Sequence, residues 1–278
     1  MKLFGRGISP GRVAGEALAI DVPFSFVGGA DPTTGALLDS SSGVEGQRMA
    51  GRIFAFPHGK GSTVGSYVIY GLAKRGVGPA GLVNTAAEGI VAVGAILAEI
   101  PMVDHVDTGA IRTGDRIVLD GDRGTLELPG VKAVPVVSVV LRNRGRILIV
   151  RRSDSVGTFR DRWSAISGYL EGLETPKSRA LREVREETGM RRIVFRAAGS
   201  PVFARADATV FVVHPFLFEA PDRKVRLDWE NVEHRWIRPE EVDRFETVPR
   251  LQDVVQAVIG PKSPVPRSPT RARKRTRG

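Results

Sequence analysis

Residues 168–190, GYLEGLETPKSRALREVREETGM, decide how the rest of the chain is understood. Ser167 and Gly168 form a glycine turn that leads through an acidic loop to Glu171 and Glu174. Thr175 followed by Pro176 predicts a helix start, because threonine is a good N-cap and proline suits the first helical position. Ala180, Leu181 and Val184 give that helix a narrow apolar face, and Gly189 ends it. Within it, Glu183, Glu186 and Glu187 are related by three and four residues, so their carboxylates leave one side of the helix.

Like charges at that spacing repel, so stability alone does not favour the arrangement. A solvated acidic face is the ordinary meaning of a Glu-rich helix. A cage of hard oxygens for Mg²⁺ or Mn²⁺ is the other, since such ions prefer carboxylates and bridge to substrate phosphates. The wider pattern favours the cage: Gly168, Glu174, Arg182-Glu183, Glu186-Glu187, Gly189 and a bulky apolar Met190, all at fixed intervals. This pattern resembles the Nudix box at every position. The resemblance implies an α/β/α sandwich and metal-dependent hydrolysis of a nucleoside diphosphate or a related diphosphate. By position in the motif, it gives Glu183, Glu186 and Glu187 to metal binding or water activation, with Glu183 as the catalytic, base-side residue. The Gly168 carbonyl is a further candidate ligand. Glu174 and Arg182 are expected to form a structural ion pair holding the loop to the helix. Outside the box, Glu230 and Glu233 are candidates to complete the metal shell.

The chain has 278 residues, room for two domains. It has no cysteine, which excludes disulfides, thiolate zinc sites and cysteine-ligated iron–sulfur clusters within it. The start, MKLFGRGISPGR, has no apolar signal core, and the apolar run around residues 89–103 is broken by Glu99 and Pro101. A cytoplasmic protein without a membrane span is therefore expected. The net charge of +10 is uneven: residues 1–130 hold 11 basic and 13 acidic side chains, residues 131–260 hold 23 and 18, and residues 261–278 hold 7 and none. The last segment, PKSPVPRSPTRARKRTRG, has little to bury, so a basic disordered tail is expected. Such a tail is either solubilising or an electrostatic contact for nucleic acid or an acidic partner.

Residues 1–130 alternate short apolar runs with glycine loops. Strands are expected at 12–20 and 47–56, further short buried segments at 80–84, 90–93 and 102–103, and a hairpin at 116–128 around DGDRG. The loop PHGKGSTVGS at 57–66 precedes a helix predicted over 67–75, with Ser66 placed to cap it. It is not a Walker A loop, which would need glycine at Phe54 and Ser or Thr at Gly61. Backbone N–H groups at such a turn suit an anion.

The segments at 28–35, 50–68, 83–104 and 113–128 together resemble the small subunit of archaeal phosphomevalonate dehydratase, the swivelling-domain half of the aconitase-X superfamily. The resemblance covers residues 1–130 in order. It implies a heterodimer with a separate large subunit that carries an iron–sulfur cluster, the two together converting 5-phosphomevalonate to trans-anhydromevalonate 5-phosphate in isoprenoid synthesis. The family's proton-abstracting serine falls on Ser62, with Lys60, Gly61 and Ser66 as substrate-binding candidates. A cationic, N–H-rich loop is what a serine base requires. Lys60 stands where arginine is common in the family, keeping the charge but not the bidentate geometry.

A domain boundary is expected in the segment 129–133, PGVKA. Beyond it, hairpin strands are expected at 136–141 and 146–151, further strands at 193–197, 202–204, 209–218 and 233–237, a helix start at 239–243 and a last helix at 248–259. The expected fold class is therefore α/β with two domains: a swivelling β/α domain over 1–130, a Nudix α/β/α sandwich over 131–260, and the tail. Fusion to an isoprenoid enzyme hints at an isoprenoid diphosphate as the second domain's substrate. A nucleotide housekeeping hydrolase and a non-catalytic diphosphate sensor are the competing readings.

Overall fold

The structure, a computed structural model, describes residues 1–260. The segment expected to be a disordered tail lies outside the described residues. Among them, no helix is long and apolar enough to cross a membrane.

The first domain contains strands β1 (Lys2–Phe4), β2 (Arg6–Ser9), β3 (Arg12–Ala19), β4 (Ile53–Phe56), β5 (Gly81–Asn84), β6 (Met102–Asp104), β7 (Arg116–Asp120) and β8 (Thr125–Glu127). Its helices are the single turn α1 (Phe26–Gly29), α2 (Gly65–Lys74) and α3 (Gly89–Leu97). One eight-stranded sheet runs β1-β8-β7-β3-β4-β5-β6-β2. Strands β3, β4, β5 and β6 are parallel, which places the loops that follow them at one edge. Strand β4 is buried on both faces. Its alternate residues feed two cores: Phe54 and Phe56 join Phe24, Ile69, Leu72 and Val91, while Ile53 and Ala55 join Val83, Val103 and Ile117. Phe24 and Phe54 meet edge to face at 5.0 Å.

Four sequence expectations change here. The strand expected at 47–56 begins only at Ile53. Residues 90–93, expected as a short buried segment, belong to α3, where Val91 is buried and Val93 is exposed. Glu88 starts that helix by accepting from the N–H groups of Ile90 at 2.9 Å and Val91 at 3.1 Å. Helix α2 begins two residues early, at Gly65. Ser66 is therefore inside it and caps nothing: the cap position is Val64, without a side-chain bond. The Ser66 hydroxyl instead donates to the Ile90 carbonyl of α3 at 2.8 Å. The two helices approach closely there, since a Cβ on Gly94 would lie 3.2 Å from Ser66 Cα and 2.6 Å from Ile69 Cδ1.

The second domain contains β9 (Lys132–Asn143), β10 (Arg146–Arg152), β11 (Trp163–Ser164), β12 (Ile166–Tyr169), β13 (Val194–Ala198), β14 (Val202–Ala206), β15 (Thr209–Glu219) and β16 (Asn231–Ile237). Its helices are α4 (Pro176–Thr188) and α5 (Leu251–Ile259), with a 3₁₀ turn at Pro239–Arg244. The sheet path is β11-β10-β9-β15-β13, with β12 on β9, β14 on β15 and β16 on β10. The β9–β10 hairpin closes through Arg144 and Gly145, both at positive φ, as a tight hairpin turn requires. The last helix starts at Leu251, three residues late, because Arg250 takes a left-handed conformation. Strand β9 already includes Lys132 and Ala133, so the expected linker is shorter than its composition suggests. Compactness alone divides the chain differently from that linker. One unit gathers Met1–Val137, Gly168–Arg179 and Pro201–His214; the other gathers Ser138–Ser167, Ala180–Ser200 and the chain from Pro215.

Candidate active sites

The first site is the loop between β4 and α2, at the edge where the parallel strands end. Phe24 and the loop hold each other: Phe24 N–H donates to the His58 carbonyl at 3.1 Å, and Lys60 N–H to the Phe24 carbonyl at 2.9 Å. Gly59 fits only because it has no side chain, since a Cβ would lie 2.4 Å from Glu88 Oε1 and 2.6 Å from Val91 Cγ2. Gly61 has φ +106°, which favours glycine, and its missing Cβ leaves room for Ser25 Oγ, 2.8 Å from where it would be. Ser62 is exposed, and its Oγ accepts from Val64 N–H at 3.3 Å. Ser66 is buried and spent on α3. Lys60 is exposed, with Nζ 4.0 Å from Asp39 Oδ2. Tyr67, 72% exposed, stands beside the loop.

The neighbouring loops supply polar groups that no motif singles out. Thr85 and Ala86 donate their N–H groups to the Pro57 carbonyl at 2.9 and 3.0 Å. Asn84, fully buried, donates from Nδ2 to the Phe56 carbonyl at 2.7 Å. Asp104, also fully buried, takes a bidentate pair from Arg6 at 3.0 and 2.7 Å and accepts from Ala87 N–H at 3.3 Å. Only their positions at strand ends could have flagged them.

The second site lies on α4. Thr175 Oγ1 accepts from Ser178 N–H at 3.2 Å, the expected cap, and Gly189 with φ +71° ends the helix as expected. Glu183 and Glu187 are 4% and 3% exposed, on the same inward face as Ala180 and Val184, whereas Glu186 is exposed. Glu187 is held at both oxygens: Oε1 accepts from Ser167 N–H at 3.1 Å and Oε2 from Asn231 Nδ2 at 2.8 Å. Gly168 follows Ser167 in β12. Burial pushes the Glu183 carboxyl up to about 8, helped by the charges of Glu186, Glu230 and Asp228. Burial likewise holds Glu187 well above the usual carboxylate range, against the bond from Asn231. Glu230 is raised by burial and by Asp228. Of the two carboxylates outside the box, Glu230 is the one whose charge raises the Glu183 and Glu187 carboxyls. Glu233 is taken by Arg151 at 3.1 Å and Arg235 at 2.8 Å. In the loop before the helix, Glu174 pairs with Arg179 at 3.6 Å and accepts from Glu171 N–H at 3.3 Å. Arg182 is exposed and lowers the Glu183 carboxyl.

Asn231 is the residue the sequence did not reveal. It lies 44 residues from Glu187 and carries no charge, so only the fold joins them. Among the described residues, no three carboxylate, imidazole or thiol side chains are already gathered as a metal-holding group. The donor chemistry nevertheless fits a hard divalent cation: oxygen donors, chiefly carboxylates, some buried at a cost in charge that a cation offsets.

Fold and site together define a two-domain α/β protein whose second half is built around buried, mutually repelling carboxylates. The aconitase X swivel domain matches residues 2–128, and the NUDIX domain matches residues 132–258. The chain belongs to the phosphomevalonate dehydratase small-subunit family through its first domain and carries a Nudix hydrolase domain as its second. It is 51% identical over 128 residues to the phosphomevalonate dehydratase small subunit of Pyrococcus furiosus, covering 46% of this chain and 96% of that protein. The Methanocaldococcus jannaschii small subunit is 54% identical, covering 46% and 98%. A crystal structure of a MutT protein from Methanosarcina mazei is 25% identical, with a TM-score of 0.41, covering 47% of this chain and 94% of that one.

Proposed function

We propose that the chain fuses the small subunit of a phosphomevalonate dehydratase to a metal-dependent diphosphate hydrolase. For the first domain, the exposed Ser62 on a loop fixed by Gly59 and Gly61 carries the proposal. Ser62, as the alkoxide that Lys60 and the loop N–H groups would favour, takes the proton from carbon and becomes a hydroxyl, while the substrate's hydroxyl leaves as hydroxide and becomes water with a proton from an acid of the large subunit. A chain without cysteine leaves the iron–sulfur cluster to a large subunit. Dehydration is therefore expected only on mixing the two, and Ser62→Ala should abolish it. Dehydratase activity from this chain alone would refute the assignment.

For the second domain, the single observation is the burial of Glu183 and Glu187 beside Glu186 and Glu230. Glu183, Glu186, Glu187 and the Gly168 carbonyl would hold Mg²⁺ or Mn²⁺, with Glu230 completing the set. When bound, the ion neutralises the diphosphate and polarises phosphorus. Burial and neighbouring charge hold Glu183, at about 8, largely protonated at neutral pH in the metal-free protein, and a bound cation would favour the ionised form that can accept a proton from water. A panel of diphosphates with and without Mg²⁺ tests this reading. Glu187→Gln keeps the size but removes a ligand charge, so turnover should fall about a hundredfold or more.

A further inference from the structure

Beside the glutamate cluster, a groove of about 1420 Å³ runs between the end of α4 and the segment 221–228, with Glu186 in its wall. Ordinary small-molecule pockets span about 300–1,000 Å³, so this one exceeds what a simple diphosphate fills. Six cationic side chains line it: Arg185, Arg191, Arg192, Arg223, Lys224 and Arg226. Only Glu186, Asp222 and Asp228 oppose them, and two of these belong to the proposed metal cluster or its edge. Arg185, Arg191, Arg192, Lys224 and Arg226 are exposed, and among the described residues none is committed to an ion pair.

The groove is built and not merely a run of basic residues. Arg226 N–H donates to the Thr188 carbonyl at 3.0 Å, tying the far wall to the end of the helix. Arg223 donates to Asn143 Oδ1 at 3.2 Å and to its carbonyl at 3.1 Å, and lies over the Trp236 ring. Among the described residues lining the groove, His234 supplies the one aromatic ring, a smaller platform for a stacked base than phenylalanine, tyrosine or tryptophan would give. Five of the six cations are arginines, whose planar forks match phosphate oxygens in pairs.

Resting on the Nudix reading above, we propose that this groove takes the part of a substrate that extends beyond the scissile diphosphate: further phosphates of a small polyphosphorylated molecule, recognised by charge and not by a base or an isoprenoid tail. Binding to the full chain is measured by calorimetry in EDTA, where the metal site is silent, using inorganic tetrapolyphosphate, pyrophosphate, an isoprenoid diphosphate and a single-stranded oligonucleotide. Tetrapolyphosphate should bind about tenfold or more tightly than pyrophosphate, and the advantage should shrink as salt is raised. Arg191→Gln/Arg192→Gln/Arg226→Gln should erase it, while the basic segment 261–278 remains in place. The Arg191→Gln/Arg192→Gln pair serves if the triple variant does not fold, as judged by circular dichroism. Equal affinity for the two phosphates, or an unchanged variant, would overturn the proposal. So would tighter binding of the isoprenoid diphosphate, or oligonucleotide binding of equal strength lost in the same variant. Hydrolysis with Mg²⁺ is scored separately. Its failure with a preserved EDTA preference refutes the Nudix reading alone; the converse refutes the groove alone.

Discussion

Replacing Asn231 by alanine tests whether an uncharged residue outside the Nudix box sets the metal affinity of the second domain. The Asn231 amide lies 2.8 Å from Glu187 Oε2 and is one of two donors on a carboxylate that is 3% exposed. Burial already holds that carboxyl well above the usual range, and the asparagine bond counteracts it. Without the bond, ionisation of Glu187 becomes harder still. A hydrogen bond to a charged group contributes about 1.5–3 kcal/mol, equivalent to roughly 10- to 150-fold in an equilibrium constant. Mg²⁺ or Mn²⁺ affinity, measured by calorimetry on the full chain, should fall by about that factor at neutral pH. A cation needs the deprotonated carboxylate, so the deficit of the variant should narrow as pH is raised and the carboxyl ionises without help. A loss of less than about twofold, or a deficit that does not change with pH, would refute the reasoning.

Metal-free protein should lose stability as pH rises. The folded-state Glu183 carboxyl, at about 8, lies above its ordinary value of 4.5, so its contribution is complete below 4.5 and is lost as pH climbs through about 8. Calorimetric melting in EDTA should therefore show the second domain's midpoint falling across that window, with Glu183→Gln lessening the fall, to which Glu187 also contributes, and Mg²⁺ opposing it. In the first domain, Ser66→Ala removes the bond to the Ile90 carbonyl and should cost about 0.5–1.5 kcal/mol by urea denaturation, leaving Nudix hydrolysis unchanged. An Ser66→Ala chain as stable as the parent would remove the link between α2 and α3 from the account.

The helix of the Nudix box was legible down to its cap and its stop, because Thr175, Pro176 and Gly189 act locally. Most strands of the second domain were legible for the same reason, as apolar runs between turn residues. The start of α5 was not, since Arg250 takes a left-handed conformation that no glycine or asparagine marks. Residues 90–93 misled because a short apolar run has no period that separates strand from buried helix; Glu88, which decides it, does so through its own carboxylate on backbone N–H groups. The chemistry of the glutamates showed in their spacing, but not which of them are buried. That the charge of Glu230, just before β16, and not that of Glu233 within it, acts on Glu183 depends on where the strand begins, as does the bond from Asn231.

Strand β4 has a consequence for where insertions can be accepted. Four consecutive buried residues, two serving each face, index the chain from both sides at once. Adding one residue within it would turn phenylalanines into the space that holds Ile53 and Ala55, and those into the aromatic cluster. Neither face could yield while the other stayed put. Ser62 follows Phe56 by only six residues, and two of the intervening positions, Gly59 and Gly61, admit no side chain without displacement. The nucleotide stretch encoding 53–62 should therefore be intolerant of any in-frame insertion, whereas Gly43 and Gly46, with open space around them, mark where the same domain can lengthen.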